Sequence, residues 1–321
     1  MTIKHIITRF RQMGGFHLVK EYVRLGYAGP LLKEFLKSLI GRQSFKAGYS
    51  KIIQKVIPDL NAEYYPVMKA AAAAYDAKPH ECHRSDKVWF CWIQGMDKAP
   101  ELVKACLNSQ RKWLHDKEIV IVDGSTWQNY AEIPDYVVEK YRRGHIPQAL
   151  FSDIIRLELL LRHGGTWIDS TVLCTGDSYD RAYLDSDLFM FQYGRPGDPD
   201  YGGISNWFIT SCTHNRLLTI LRDMLYAYWK DYDCALNYYI FHSFFSLIQK
   251  EFPEEAASMP YGSSMTSIAL GRNVWRKYDA EKFAKVTQKT CFHKLNYRQG
   301  PEVVSDKENY YNEILRQYTN A

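Results

Sequence analysis

The sequence lacks any apolar run of the ~18–20 residues that would cross a bilayer as a helix. Its first residues, MTIKHIITRFRQMGG, interrupt their apolar stretch with charge, so no signal peptide is expected. It also lacks a CxxC pair. The seven cysteines (Cys82, Cys91, Cys106, Cys174, Cys212, Cys234 and Cys291) are odd in number and form no disulfide framework, which points to a reducing cytoplasm. The His80-Glu81-Cys82-His83 run has no second ligand cluster at zinc-finger spacing and reads as a polar loop. There is no internal repeat, and no low-complexity tract beyond Ala70 to Ala74. With 46% apolar and 24% charged residues in a chain of 321, a disordered chain, a collagen and a coiled coil are excluded too.

Acids are scarce in the first 57 positions. Eleven Lys and Arg stand there against Glu21 and Glu34, a balance of +9, while the remainder carries −4. A basic arm of this kind meets an anionic surface, either lipid or nucleic acid. Ile3, Ile6, Ile7 and Phe10, then Val19, Tyr22 and Val23, stand at helical spacing between the basic residues. Leu31 to Ile40 and Ile52 to Ile57 continue the pattern as short amphipathic helices. These either lie on lipid head groups or pack on the body with their charges in water. The acidic remainder offers no extended basic groove, so no nucleic acid is expected as a partner.

Aromatics are plentiful, with 8 Trp, 24 Tyr and 15 Phe. They suit ring-shaped partners such as sugars and bases, or a Tyr-rich core. The sequence changes character at Lys78-Pro79, dividing a basic helical extension (1–80) from a body (81–321). In the body, apolar strands over 88–93 and 118–122 alternate with helices over 100–113, 136–141 and 148–163. Gly164-Gly165 caps the last helix, a third strand starts at Thr166, and a fourth covers 188–191. Tyr193 to Gly203 is a Gly/Pro-rich loop that could serve as a lid, and from Asn206 onward the chain reads as helical and aromatic. This order predicts an α/β fold with a mainly parallel sheet, which binds ligands beyond the carboxyl ends of its strands.

The chemistry concentrates in FSDIIRLELLLRHGGTWIDSTV, residues 151–172. Asp153 and Arg156 share one helix face, a pairing that grips hydroxyls and phosphate. Asp169 ends the strand after the glycine turn, in the ligand crevice. The literal Asp185-Ser186-Asp187 precedes a strand rather than following one, and reads as turn chemistry. Asp123, after the second strand, meets a nucleotide or caps the turn at Gly124.

The stretch 152–169 resembles the sugar-binding region of GT-A-fold glycosyltransferases, SDxxRxxxLxxxGGxYxD. More closely, Trp167-Ile168-Asp169-Ser170-Thr171-Val172 resembles the bacterial capsular polysaccharide synthesis protein family. So do Asn206-Trp207-Phe208-Ile209, Tyr239-Ile240-Phe241-His242 and His293-Lys294-Leu295. The resemblance runs from Lys87 to Tyr297 and implies a GT-A-like (Rossmann-like) fold behind an N-terminal helical extension.

It further implies a hexosyltransferase-type enzyme moving a sugar, with retention, from a nucleotide-sugar donor to a hydroxyl of a capsule or surface-glycan precursor. A UDP-sugar is the implied donor and a glycan or lipid-linked glycan the implied acceptor. A cytoplasmic place at the inner membrane face follows, with residues 1–57 as the peripheral contact. The donor would meet Trp92, Gln94, Ser152, Asp153, Arg156, Asp169 and Lys294, and the acceptor Asn206, Trp207 and His242. Asp153 and Asp169 are the implied catalytic carboxylates.

A DXD-type motif holds Mn²⁺ or Mg²⁺, and Asp169 with His293 would be its ligands here. Thr171 stands where the second Asp belongs, and a hydroxyl is a poor replacement for a carboxylate. Either another residue completes a metal site, or cations such as Arg156 and Lys294 neutralise the diphosphate. The same departure motivates the alternative of a non-catalytic nucleotide-sugar or glycan-binding module.

Overall fold

The computed structural model describes residues 15–39, 45–195, 203–296 and 308–319. The expected helix start at Ile3 to Phe10, most of the loop 193–203, and Tyr297 lie outside the described residues. The chain divides into two units. The first takes Met1–Pro79, Glu132–Leu157 and Arg216–Phe252; the second takes His80–Ala131, Glu158–Asn215 and Pro253–Ala321. Each unit is thus drawn from three separate stretches of the chain.

The described elements of the first unit are helices. Gly15–Arg24 and Ala28–Leu39 precede a helix of 32 residues, Phe45–Asp76. The apolar spacing predicts short helices here, Ile52 to Ile57 among them. Instead, Pro58 and Pro66 both lie inside one helix, on its exposed side. Water can take up the carbonyls that the prolines leave unbonded there. The opposite side is a ridge at spacing i, i+4: Ile52, Val56, Leu60, Tyr64, Met68 and Ala72 are all buried.

Helices Arg216–Asp231 and Ile240–Glu251 complete the core of this unit with Leu221, Met224, Tyr228, Phe244 and Ile248. Buried tyrosines there keep a bonded hydroxyl: Tyr64 donates to Asp231 at 2.8 Å, Tyr22 to the Leu236 carbonyl at 3.0 Å and Tyr228 to the Cys234 carbonyl at 2.9 Å. Much of the aromatic excess is therefore core.

The second unit is mixed α/β. Its strands are β1 (Lys87–Cys91), β2 (Glu118–Val122), β3 (Gly165–Ile168), β4 (Val172–Cys174), β5 (Leu188–Gln192), β6 (Ile204–Ser211) and β7 (Phe292–Lys294). A five-stranded sheet has the order β2-β1-β3-β6-β5, and β4 pairs with β7 in a second, two-stranded sheet. β1 is parallel to β2 and to β3, while β6 runs antiparallel to both β3 and β5. Four of the five strands therefore point one way, as the sequence predicts. Residues 204–211 are the correction: the chain from Asn206 starts as a strand and not as helix, with buried Trp207, Phe208 and Ile209.

Helix Glu101–Trp113 packs on the main sheet through Val103 and Leu107 against Phe90. Its other side, Leu102, Ala105 and Cys106, meets Leu173, Leu270 and Ile314. The same helix fixes β4 through two buried polar side chains. Gln110 donates to the Val172 carbonyl at 2.9 Å, and Ser109 accepts from the Cys174 amide at 2.9 Å. Gly164 and Gly165 sit at φ +64° and +91°, a backbone that favours glycine. A Cβ on Gly165 would also lie 2.3 Å from the Lys87 carbonyl oxygen.

The expectation that no cysteines pair is corrected: Cys82 and Cys212 form a disulfide between the segment before β1 and the residue after β6. Cys91, Cys106, Cys174, Cys234 and Cys291 are buried thiols. Burial pushes the Cys174 thiol up to about 12.

Candidate functional site

Parallel β1, β2 and β3 bring Trp92, Asp123 and Asp169 to the same carboxyl edge of the sheet. Asp123 takes the turn role. Its Oδ1 accepts from the Ser125 hydroxyl at 2.7 Å and the Ser125 amide at 2.8 Å, and from the Thr126 amide at 3.0 Å. These bonds, the Ser125 hydroxyl first, hold its carboxyl below the usual range. Trp92 is half-buried and Gln94 exposed in the turn that follows β1.

The centre of this edge is Asp169. Its amide donates to the Trp207 carbonyl at 2.8 Å, continuing the β3–β6 pairing by one residue. Trp167 Nε1 donates to Asp169 Oδ1 at 2.8 Å. Residues two apart on a strand share a face, which is the signal in the sequence that could have named Trp167 as the holder of this carboxylate. Lys294 Nζ donates to Asp169 Oδ2 at 2.6 Å and to Thr171 Oγ1 at 2.8 Å. Lys294 therefore bridges the first and third positions of the Asp169-Ser170-Thr171 triplet.

That lysine is fixed from the backbone. β7 pairs Lys294 with Val172 of β4, and the Leu295 amide donates to the Thr171 carbonyl at 2.9 Å. Gly271, on helix Ser264–Asn273, is where that helix meets β7: a Cβ there would stand 2.1 Å from the Lys294 carbonyl oxygen. No motif marks Gly271 in the sequence. His293, next to Lys294, is fully buried, and its Nε2 pairs with the Thr175 hydroxyl at 3.0 Å rather than with Asp169. Burial pushes its imidazole down to about 4.

This donor set fits an ammonium better than a hydrated divalent cation. One carboxylate and one hydroxyl converge, and both carboxylate oxygens already accept. Mg²⁺ and Mn²⁺ want an octahedron of hard oxygens. Among the described residues, no group of three His, Cys, Asp or Glu side chains gathers around Asp169. One such group is Cys82, Asp187 and Cys212, whose sulfurs are bonded to each other. Asp187 also pairs with Arg84 at 2.7 Å, and Asp185 with Lys117 at 3.4 Å, so the literal Asp-Ser-Asp engages two cations at the amino end of β5.

The first unit holds Ser152, Asp153, Arg156 and His242. Asp153 and Arg156 pair at 3.2 Å along helix Gln148–His163, both side chains buried. Ser152 beside them is half-buried. Burial, then the nearby Arg156 charge, pushes the His242 imidazole down to about 4. Tyr239 lies against His242 at 5.6 Å between ring centroids and is 60% exposed. Asp153, Arg156 and His242 are thus brought together, as are Asp169, Thr171 and Lys294 in the second unit. Asn206 is half-buried on β6. Trp207, expected at the acceptor side, packs as core: it is 6% exposed and stacks on Phe191 at 4.7 Å.

Asp169, with Lys294 against it, thus stands beyond the end of β3, at the edge where open α/β sheets as a class take their ligands. The chain is a member of the capsular polysaccharide synthesis protein family, whose model matches residues 43–314. Among solved structures, a protein described as PaToxG Glycosyltransferase is similar at 11% identity over 81% of this chain and 97% of that one, with a TM-score of 0.37. No curated protein matches this chain.

Proposed function

We propose that this protein is a glycosyltransferase of the hexosyltransferase type, acting on a capsule or surface-glycan precursor. The observation that carries the reading is Asp169. It closes the Gly164-to-Ile168 turn and strand at the sheet's carboxyl edge, held by Trp167 and paired with Lys294. Family membership over residues 43–314 supports the same reading.

In the proposed reaction the bond between the sugar's anomeric carbon and the donor diphosphate breaks, and a bond from that carbon to an acceptor hydroxyl oxygen forms. The hydroxyl proton passes to the departing diphosphate oxygen. The negative charge that develops on that oxygen needs a fixed positive partner. Asp169 is ion-paired to Lys294, and Asp153 to Arg156, which blunts both as covalent nucleophiles. Retention by same-face attack therefore suits this chain better than a double displacement.

Trp92 and Gln94 are the proposed base-side contacts of a UDP-sugar. Ser152, Asp153 and Arg156 are the proposed sugar contacts, and Asn206 and His242 the proposed acceptor contacts. A lipid-linked glycan as acceptor agrees with Phe16, Val23, Leu32 and Leu36 standing exposed on the basic N-terminal helices, a face suited to anionic head groups. A panel of nucleotide sugars, with nucleotide release as the readout, tests the assignment; Asp169→Ala is expected to abolish release. Binding without release would favour the second reading, a nucleotide-sugar-binding module, which Thr171 motivates.

A further inference from the structure

Resting on that reading, we infer that Lys294 is the built-in cation of the site. It takes the place of a divalent metal, so that a nucleoside diphosphate binds here without one. The ammonium lies 2.6 Å from Asp169 Oδ2 and 2.8 Å from Thr171 Oγ1, between the two positions that would otherwise share a metal ion. A metal ion at that point would face a lysine charge at contact distance, and the Asp169 oxygen it needs is already taken. The other oxygen of Asp169 accepts from Trp167 at 2.8 Å.

The identity of residue 171 follows from this arrangement. Two carboxylates around one ammonium would carry a net negative charge and call for a further cation. With Thr171 in that place the trio is neutral, and the hydroxyl still accepts a bond. An ammonium has three N–H donors. Two are committed to Asp169 and Thr171, and the third remains for an anionic oxygen. Lys294 is 26% exposed at its side chain, so a phosphate can reach it. Lysine binds phosphate as a point charge.

The position of that charge is set in advance. β7 is paired to β4 at Val172, the Leu295 amide is bonded to Thr171, and helix Ser264–Asn273 approaches at Gly271 with no room for a side chain. The cation thus costs little rearrangement when the anion arrives. It also explains why a single carboxylate suffices in the triplet.

Isothermal titration of the full chain with UDP, and with GDP and dTDP in parallel, tests this in EDTA and again in Mn²⁺. The expected result is that one nucleoside diphosphate binds with the same Kd in both buffers. Lys294→Met is expected to weaken it by about tenfold or more in both, the loss of a charge-assisted contact. The wild-type comparison between buffers does not depend on any variant folding, and a thermal melt of Lys294→Met accompanies it. Binding that appears only with Mn²⁺, or a folded Lys294→Met that binds as wild type does, overturns the inference and leaves the glycosyltransferase reading standing. No binding of any of the three in either buffer removes that reading, and this inference with it.

Discussion

In the first unit, Asp153 and Arg156 lie one helical turn apart at 3.2 Å, with side chains 10% and 6% exposed. In the second, Asp169 and Lys294 lie 125 residues apart in sequence and 2.6 Å apart in space, with side chains 22% and 26% exposed. The two pairs have the same chemistry in different settings. A buried pair has given up its water, so removing one partner strands the other's charge. A half-exposed pair keeps water as an alternative partner and is correspondingly cheap to open. The contrast teaches that the first pair is coupled to the integrity of its helix packing, whereas the second is poised to exchange water for a ligand.

The contrast breaks most directly by substitution. Arg156→Ala is expected to lose about 3–5 kcal/mol in urea unfolding, since it removes one partner of a buried ion pair. Lys294→Met is expected to lose less than about 1 kcal/mol while nucleotide binding collapses. Equal stability losses for the two would erase the distinction.

A pH series sharpens it next, because each unit holds an imidazole that burial makes harder to protonate. His242 and His293 are both lowered from 6.5 to about 4. Between those values the unfolded chain binds protons that the folded chain refuses. Stability is therefore full above pH 6.5 and falls as the pH drops toward 4, on the order of 1 kcal/mol per pH unit for each ring. Unfolding midpoints of His242→Gln and His293→Gln across that window are expected to show a slope reduced by about one proton each. A slope unchanged in both variants would remove these rings as its cause.

Gly271→Ala acts on the second pair alone. The added methyl displaces the Lys294 backbone, and a loss of about 1–3 kcal/mol is expected together with weaker nucleotide binding. Full nucleotide affinity in this variant would show that the ammonium is not positioned from its backbone. The smallest effect is expected from Phe16→Ser with Leu32→Ser: severalfold weaker binding to vesicles of anionic lipid, at unchanged nucleotide affinity. Vesicle binding that stays at the wild-type level would take the membrane contact away from these two helices.

Much of the sheet, and of the helix that leads into it, is legible in sequence. β2 and helix Gln148–His163 fall where apolar runs and the glycine cap place them. β4 and β7 are three residues each, too short to show a period of two. β6 opens just after residues outside the described set, and its Trp207-Phe208-Ile209 run has no alternation because both of its faces are covered. The long helix Phe45–Asp76 is hidden by its own prolines, whose helix-breaking rule fails where they face water.

At the site, Asp169, Thr171 and Lys294 are each visible as residues, since motif and charge mark them. Their convergence is not, because pairing across 123 and 125 positions leaves no local pattern. Trp207 shows the reverse failure. An aromatic in a motif-like segment resembles a sugar platform, and only packing reveals it as core.

The proposed role of Asp169 is sugar transfer from a nucleotide donor. The direct measurement is nucleotide release from a panel of nucleotide sugars supplied with glycan acceptors, in parallel for the wild type and Asp169→Ala. One donor is expected to be consumed by the wild type and none by the variant. Consumption of no donor, or equal consumption by both proteins, would contradict it.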